Sequence, residues 1–509
     1  MSRLSRRRLL QYGAAFTALS ACAPAASPPD TGPTPSGSPG TSPEIPVAST
    51  YKPAPIPDAT RQAEMIASGE ATSLELTEAA IARARAAQPE INAIANETYD
   101  AALTEAASPP SGVFGGVPSF IKDLLDWKGA PTLYGSRAFE GYIAAEDAPF
   151  AAAWRDTGII SLGKSTTPEM GLISSTEPLV TGATHNPWDR TRIPGGSSGG
   201  AAALVAARVV PMAHASDGGG SIRIPAACCG LFGLKPSRGV MAGRADEDGP
   251  VSISVNHAVS LTVRDSAAMF AATERHNGEL PPIGHITGPS TRRLKIAFAP
   301  AAATGANVDT DTQEGIARTA QLCRDLGHEV FDYVVPLNGA EFVDRFLLYW
   351  SAGAAGFAQQ ASAYSGKPIG PDIVEPWTLG LAGNFLARRD EMDATIAYLA
   401  AFEAEYHSWF ADFDVLLTPT VSTVAPKIGT QAPDGDFETV RESVLNFAAF
   451  TAPMNVSGAA SMSVPVQWSA DGLPVGSMFS AKRGDDGLLF ALAYELEQAQ
   501  PWIDRLPGA

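Results

Sequence analysis

Pro194-Gly195-Gly196-Ser197-Ser198-Gly199-Gly200 and Asp217-Gly218-Gly219-Gly220-Ser221-Ile222-Arg223-Ile224-Pro225 are two glycine clusters, each carrying serine, with 24 residues from Ser197 to Ser221. Glycine lets the backbone approach a ligand closely and adopt torsions that other residues avoid, which is how amide N–H groups are gathered around negative charge. A phosphate is one such charge. Yet no lysine follows the first run in the pattern Gly-x-x-x-x-Gly-Lys, and neither run reads Gly-x-Gly-x-x-Gly with an acidic partner, so nucleotide binding is set aside. The other use of clustered N–H groups beside a serine is to meet the charge that develops on a carbonyl oxygen under attack. Such a serine needs a base. The chain has seven histidines, and none sits in a Gly-x-Ser-x-Gly setting with a partner signature. His214, inside an apolar stretch, reads as a structural hydrogen-bonding residue, and His185 and His257 offer no more.

Outward from the two runs the chain alternates. Short apolar stretches at Val117–Ile121, Ile159–Leu162, Val209–Ala213, Leu294–Phe298, Val415–Leu417 and Met462–Val466 read as buried strands. Helical spacing occupies Phe150–Asp156, Ala201–Ala207, Asp311–Leu326, Arg389–Phe410 and Asp486–Gln500. Thr72-x-x-Glu75 resembles a capping box that opens a helix, which Pro89 is expected to stop. The alternation predicts a layered α/β/α protein, a large twisted sheet covered by helices on both faces. No fixed-period repeat is visible, and no interior boundary stands out after Asp58.

The acidic excess, 54 acidic against 36 basic residues and a formal charge of −18, argues against nucleic-acid binding, which needs clustered Lys and Arg. An apolar fraction of 45% excludes a disordered chain, and four cysteines are too few for a disulfide framework. Before Asp58 the composition changes. Ser5-Arg6-Arg7-Arg8-Leu9-Leu10 resembles a twin-arginine export signal, Leu9–Ala21 is uncharged but too short to span a bilayer, and Leu19-Ser20-Ala21-Cys22 resembles a lipobox. The expectation is a signal peptide at 1–21, a lipidated Cys22 with a Pro/Ser/Gly-rich spacer at 22–57, and one catalytic domain at 58–509. Loss of 1–21 would leave 32 basic against 54 acidic side chains and a charge of −22.

The two glycine runs, the upstream Val117-Pro118-Ser119-Phe120-Ile121-Lys122-Asp123, 75 residues from Lys122 to Ser197, and Gly233-Leu234-Lys235-Pro236 and Gly472-Leu473-Pro474-Val475-Gly476 together resemble the amidase signature family over about Asp58 to Gln500. The wording Ser216 to Ser221 and Cys228 to Gly239 is most similar to nylon-oligomer cyclic-dimer hydrolases and related urethane- and amide-cleaving members, although Gly218 stands where the family commonly has Thr. The resemblance implies the amidase-signature α/β fold and a Ser-cisSer-Lys triad. Ser221 would attack the carbonyl carbon, Ser197, joined to Gly196 by a cis peptide, would relay the proton, and Lys122 would be base and then acid. That role requires a neutral lysine, hence a buried one. The N–H groups of Gly218, Gly219, Gly220 and Ser221 would form the oxyanion hole, Ser198 would hydrogen-bond within the triad, and Asp217 with Arg223 would pin the loop.

Within the same frame, the stretch Gly171 to Thr176, with Ile173, Ser174 and Ser175, would line the acyl pocket, covered by the aromatic-rich 340–385 segment. The run Phe342, Phe346, Tyr349 and Trp350 has core packing as its default reading. Adjacent Cys228 and Cys229 read as core. No cofactor or metal is implied. The expected substrate is a small or oligomeric amide, anilide or carbamate, with membrane attachment through the lipid only and either a monomer or a homodimer. Two other readings carry the same residues: an A-type glutaminase subunit of an amidotransferase, which an export signal contradicts, and a binding lipoprotein without catalysis, which a filled triad disfavours.

Overall fold

The computed structural model describes residues 51–243 and 251–508. The expected signal peptide, Cys22 and the expected spacer as far as residue 50 lie outside the described residues. Residues 51–57 form no helix or strand, yet they rest on the body: Tyr51 donates its backbone N–H to Glu90 at 2.7 Å and its hydroxyl proton to the Ala207 carbonyl at 2.7 Å. Among the described residues the first helix follows at Ala59–Ser68, capped by the Asp58 carboxylate.

Thr72 and Glu75 close a reciprocal capping box, Thr72 Oγ1 accepting from the Glu75 N–H at 3.1 Å and Glu75 from the Thr72 N–H at 2.8 Å. The helix they open passes Pro89 and ends at Ile91, with Asn92 at φ 45° as its left-handed cap. So close to the terminus, the proline removes only one hydrogen-bond donor from a helix already ending. The expected stop is therefore displaced by two residues.

The strands are β1 (Ile94–Glu97), β2 (Pro118–Lys122), β3 (Ile160–Ser165), β4 (Met212–Asp217), β5 (Phe232–Lys235), β6 (Val255–Ser260), β7 (Lys295–Phe298), β8 (Glu329–Asp332), β9 (Val415–Pro419), β10 (Ser461–Trp468) and β11 (Pro474–Ser480). Eight form a mixed sheet in the order β4-β6-β5-β10-β11-β9-β7-β8, parallel only at β9-β7-β8, and β1-β3-β2 form a second sheet. The period-2 alternation of a strand assigns the faces. Ile296, Val415, Leu417 and Phe479 enter a core with the helices Val263–Thr273, Thr310–Asp325 and Asp486–Ala499. Their neighbours Ala297, Leu416 and Met478 enter another core with Gly339–Ser365 and Met392–Trp409. This is the predicted α/β layering, helices on both faces.

The two sheets meet where β2 runs beside β4. Side chains tie this seam: Ser119 Oγ donates to the Met212 carbonyl at 2.8 Å, and the Lys122 N–H donates to His214 Nδ1 at 3.2 Å. The strand expected at Val209–Ala213 begins later, at Met212, because Arg208 takes φ 60° to end the preceding helix. Val209 and Val210 are spent burying that turn.

The short helix Arg223–Cys229 is seated on β11 with no space to spare. A methyl added at Gly476 would lie 2.3 Å from Ala227 Cβ and 2.8 Å from its Cα. Gly476→Ala should therefore destabilise by about 1–3 kcal/mol through overpacking, read as a lower urea midpoint. Gly383→Ala, where an added methyl meets nothing within 4 Å in the helix Pro376–Arg388, should leave the midpoint unchanged or raise stability by up to about 1 kcal/mol. Equal midpoints for the two variants would contradict the seating.

Candidate active site

Lys122 ends β2, the second glycine run follows Asp217 at the end of β4, and the first run, well after β3, leads into the helix Gly199–Ala206, so the fold collects both serines and the lysine in one place. Lys122 is fully buried. Its Nζ lies 2.7 Å from Ser197 Oγ, 3.0 Å from Ser216 Oγ and 3.3 Å from the Ser216 carbonyl. Burial penalises the ammonium form and lowers its pKa to about 7, against the opposing pull of Asp217. The Gly196–Ser197 peptide is cis, and the Ser197 carbonyl accepts from Thr167 Oγ1 at 2.9 Å. Ser221, 8% exposed, shares a crevice with Ser197 and Ser216.

His214 is also buried and holds the lysine strand from below. Its Nδ1 accepts the Lys122 N–H, so the proton sits on Nε2, which faces Asn256 Oδ1 at 3.2 Å. Burial, reinforced by the nearby lysine, depresses its pKa to about 3. It is a neutral structural group.

Asp217 organises the loop that follows it. Its carboxylate receives the N–H groups of Gly220 at 2.8 Å and Ile222 at 3.1 Å, Arg223 Nε and Nη2 at 3.0 Å each, and Asn455 Nδ2 at 2.8 Å. Burial pushes this carboxyl up, but the Arg223 charge and hydrogen bonds, with Lys235 and Asn455, overcome it and hold it well below the usual carboxylate range. Arg223 is fully buried and reaches on to the Thr451 carbonyl at 3.0 Å and Asn455 Oδ1 at 2.7 Å. Gly220 has φ 135°, and a methyl there would lie 2.4 Å from Thr451 Oγ1, so both conformation and space demand glycine.

Two sequence expectations change here. The Gly220 N–H points at Asp217, which removes it from the oxyanion donors; Gly218, Gly219 and Ser221 keep N–H groups not engaged by the described residues. The Ser198 hydroxyl makes no hydrogen bond to Lys122, Ser197 or Ser221: its Oγ donates to the Ser216 carbonyl at 3.2 Å and accepts the Ser216 N–H at 3.3 Å, fixing Ser216 instead. Ser216, Asn455 and Thr451 were missed as site residues. Ser216 stands in the quoted run and was legible there, whereas Asn455 and Thr451 arrive from over 200 residues downstream with no local pattern to mark them.

A cleft with a cavity volume of about 100 Å³ opens from Ser221. Ile173 and Ser174 line it; Ser175 is fully buried and turned away, donating to the Gln431 carbonyl at 3.2 Å, so it leaves the proposed lining. The aromatic run divides. Tyr349 packs inward with its hydroxyl on the Val251 carbonyl at 3.0 Å, while Phe346 and Trp350 face the cleft. Cys228 and Cys229 are buried, and burial pushes the Cys228 thiol up to about 12. Among the described residues no three His, Cys, Asp or Glu side chains converge as a metal-binding group.

The family described as Amidase matches residues 75–490. The chain is 40% identical over 450 residues to "Putative amidase AmiC" of Mycobacterium tuberculosis, covering 87% of this chain and 95% of that protein. It is 34% identical over 483 residues to the 6-aminohexanoate-cyclic-dimer hydrolase of Paenarthrobacter ureafaciens, covering 88% and 96%. A solved structure of 6-aminohexanoate cyclic dimer hydrolase superposes with a TM-score of 0.80 at 32% identity, over 89% of this chain and 98% of that one. The motifs, the mixed-sheet fold and these likenesses agree: the chain belongs to the amidase signature family and is an amidase, a hydrolase of carbon–nitrogen bonds other than peptide bonds.

Proposed function

We propose that this amidase works through an acyl-enzyme on Ser221, with Ser197 as proton relay and Lys122 as general base and acid. The observation that carries the reading is the 2.7 Å contact between a fully buried lysine amine and Ser197 Oγ, in the crevice that Ser221 lines. Neutral Lys122 takes the Ser197 proton as Ser197 takes that of Ser221, and Ser221 Oγ bonds to the carbonyl carbon. The carbonyl oxygen, now anionic, is met by the N–H groups of Gly218, Gly219 and Ser221. Collapse breaks the C–N bond while Ser197 gives its proton to the leaving nitrogen and is reprotonated by Lys122. Water repeats the sequence on the acyl-enzyme and releases the acid.

Ser221 and Ser197 share the crevice without a direct hydrogen bond between their hydroxyls; the proposed relay requires that bond along the reaction, where catalytic hydrogen bonds commonly tighten. Linear or cyclic amides, anilides and carbamates are all within reach of such a mechanism. The N-terminal signals support placing the enzyme outside the cytoplasm, held to a membrane by lipid on Cys22.

A fluorophosphonate probe should label Ser221, detected as a mass shift on the peptide that contains it. An unlabelled, folded wild type would overturn the nucleophile assignment. Lys122→Ala should slow acylation at neutral pH by roughly 10²–10⁴-fold, the usual contribution of general acid–base catalysis, with an unchanged circular dichroism spectrum. Wild-type kinetics in that variant would remove Lys122 from its role.

A further inference from the structure

Two spaces meet at Ser221, and they differ in size and in which catalytic group they contain. The larger, about 100 Å³, touches Ser221 and Gly219 and is walled by Ile173, Phe342, Phe346, Leu347, Val444 and Leu445. Its only charged side chain is Arg441, at the outer end and already paired with Glu438 at 2.8 Å. The smaller, about 30 Å³, holds Ser197, Ser216 and Ser221 and is closed by Leu124, Met170, Leu172 and Trp350. Leu124, Met170 and Leu172 are 2%, 8% and 3% exposed, so these walls are packed from behind.

Trp350 belongs to both spaces. Its indole N–H donates to the Leu172 carbonyl at 3.0 Å, and the Trp377 indole donates to the same carbonyl at 3.1 Å. Phe346 packs on it with ring centroids 5.6 Å apart. The indole lies over the nucleophile loop: methyls added at Gly218 and Gly219 would come within 3.5 and 3.6 Å of its Cζ3. It is a fixed partition between the two sides.

Proton bookkeeping decides which side takes which half of the substrate. The leaving nitrogen must receive its proton from Ser197, so it must sit on the side that Ser197 lines, which is the smaller one. The acyl substituent is left with the large apolar cleft. We propose that the substrates are amides joining a bulky, uncharged apolar acyl group to ammonia or a small amine, and that Trp350 is the specificity-determining residue that excludes bulky amines. This rests on the acyl-enzyme reading above.

The test is a series with one acyl group, phenylacetamide, N-methylphenylacetamide and phenylacetanilide, compared by kcat/KM on the purified full chain. Wild type should favour phenylacetamide over the anilide by roughly 100-fold, the discrimination a packed pocket achieves, even though aniline is the better leaving group, and acetamide should trail phenylacetamide. Trp350→Ala should raise kcat/KM for the anilide at least about tenfold and narrow the ratio; Leu124→Ala, opening the opposite wall, should do the same. Anilide turnover by wild type equal to or faster than that of the primary amide would overturn the proposal, as would an unchanged ratio in a folded Trp350→Ala. Fluorophosphonate labelling of the same wild-type sample separates the failures. A labelled Ser221 with an inverted ratio removes only this proposal, and an unlabelled Ser221 removes the acyl-enzyme reading and this proposal with it.

Discussion

A carboxylate and a guanidinium with no exposure to water, Asp217 and Arg223, face each other across two 3.0 Å hydrogen bonds at the edge of the sheet. Taking such a pair out of water costs several kcal/mol per ion, and mutual attraction recovers this only when every remaining donor and acceptor is met. Here they are met. Gly220, Ile222 and Asn455 complete the carboxylate, and Thr451 and Asn455 complete the guanidinium. The pair is better understood as a locator than as a source of net stability: it admits one arrangement of the loop that carries Ser221, and it ties β4 to the distant helix Ala452–Val456.

The same burial acts differently on two cations of one site. Arg223 has the Asp217 carboxylate in direct contact. Lys122 is equally buried, but its contacts within hydrogen-bonding distance are two hydroxyls and a carbonyl, none of which carries charge. Desolvation therefore dominates and brings the amine down to about 7, while the more remote Asp217 limits the fall. A lysine held in this way is half neutral near neutral pH, the condition under which a base of intrinsic strength can both take and return a proton.

Much of this was legible in the residues because the demands are local. The glycine runs announce a loop that needs backbone close approach, and Thr72 with Glu75 announce a helix start, by chemistry contained within a few positions. Long apolar strands such as β9 and β10 were also readable. Strands β1, β5, β6, β8 and β11 were not. β5 is four residues with a glycine, β6 carries a half-buried Asn256 and a buried His257, and β1 and β8 are four residues without full burial. Their pairing is settled by neighbours in space. The Asn455 and Thr451 contacts are likewise products of tertiary packing, and so is the orientation of the Gly220 N–H, which depends on where the Asp217 carboxylate turns.

The proposed activation of Ser221 rests on a neutral, buried Lys122. The most direct measurement is the second-order rate of Ser221 phosphonylation by a fluorophosphonate as a function of pH, in wild type, followed by intact mass. A rate that falls tenfold per pH unit on the acid side with an apparent pKa near 7 is the predicted result. A rate independent of pH from about 5.5 to 9, or a limb near the ordinary lysine value of about 10.4, would contradict it.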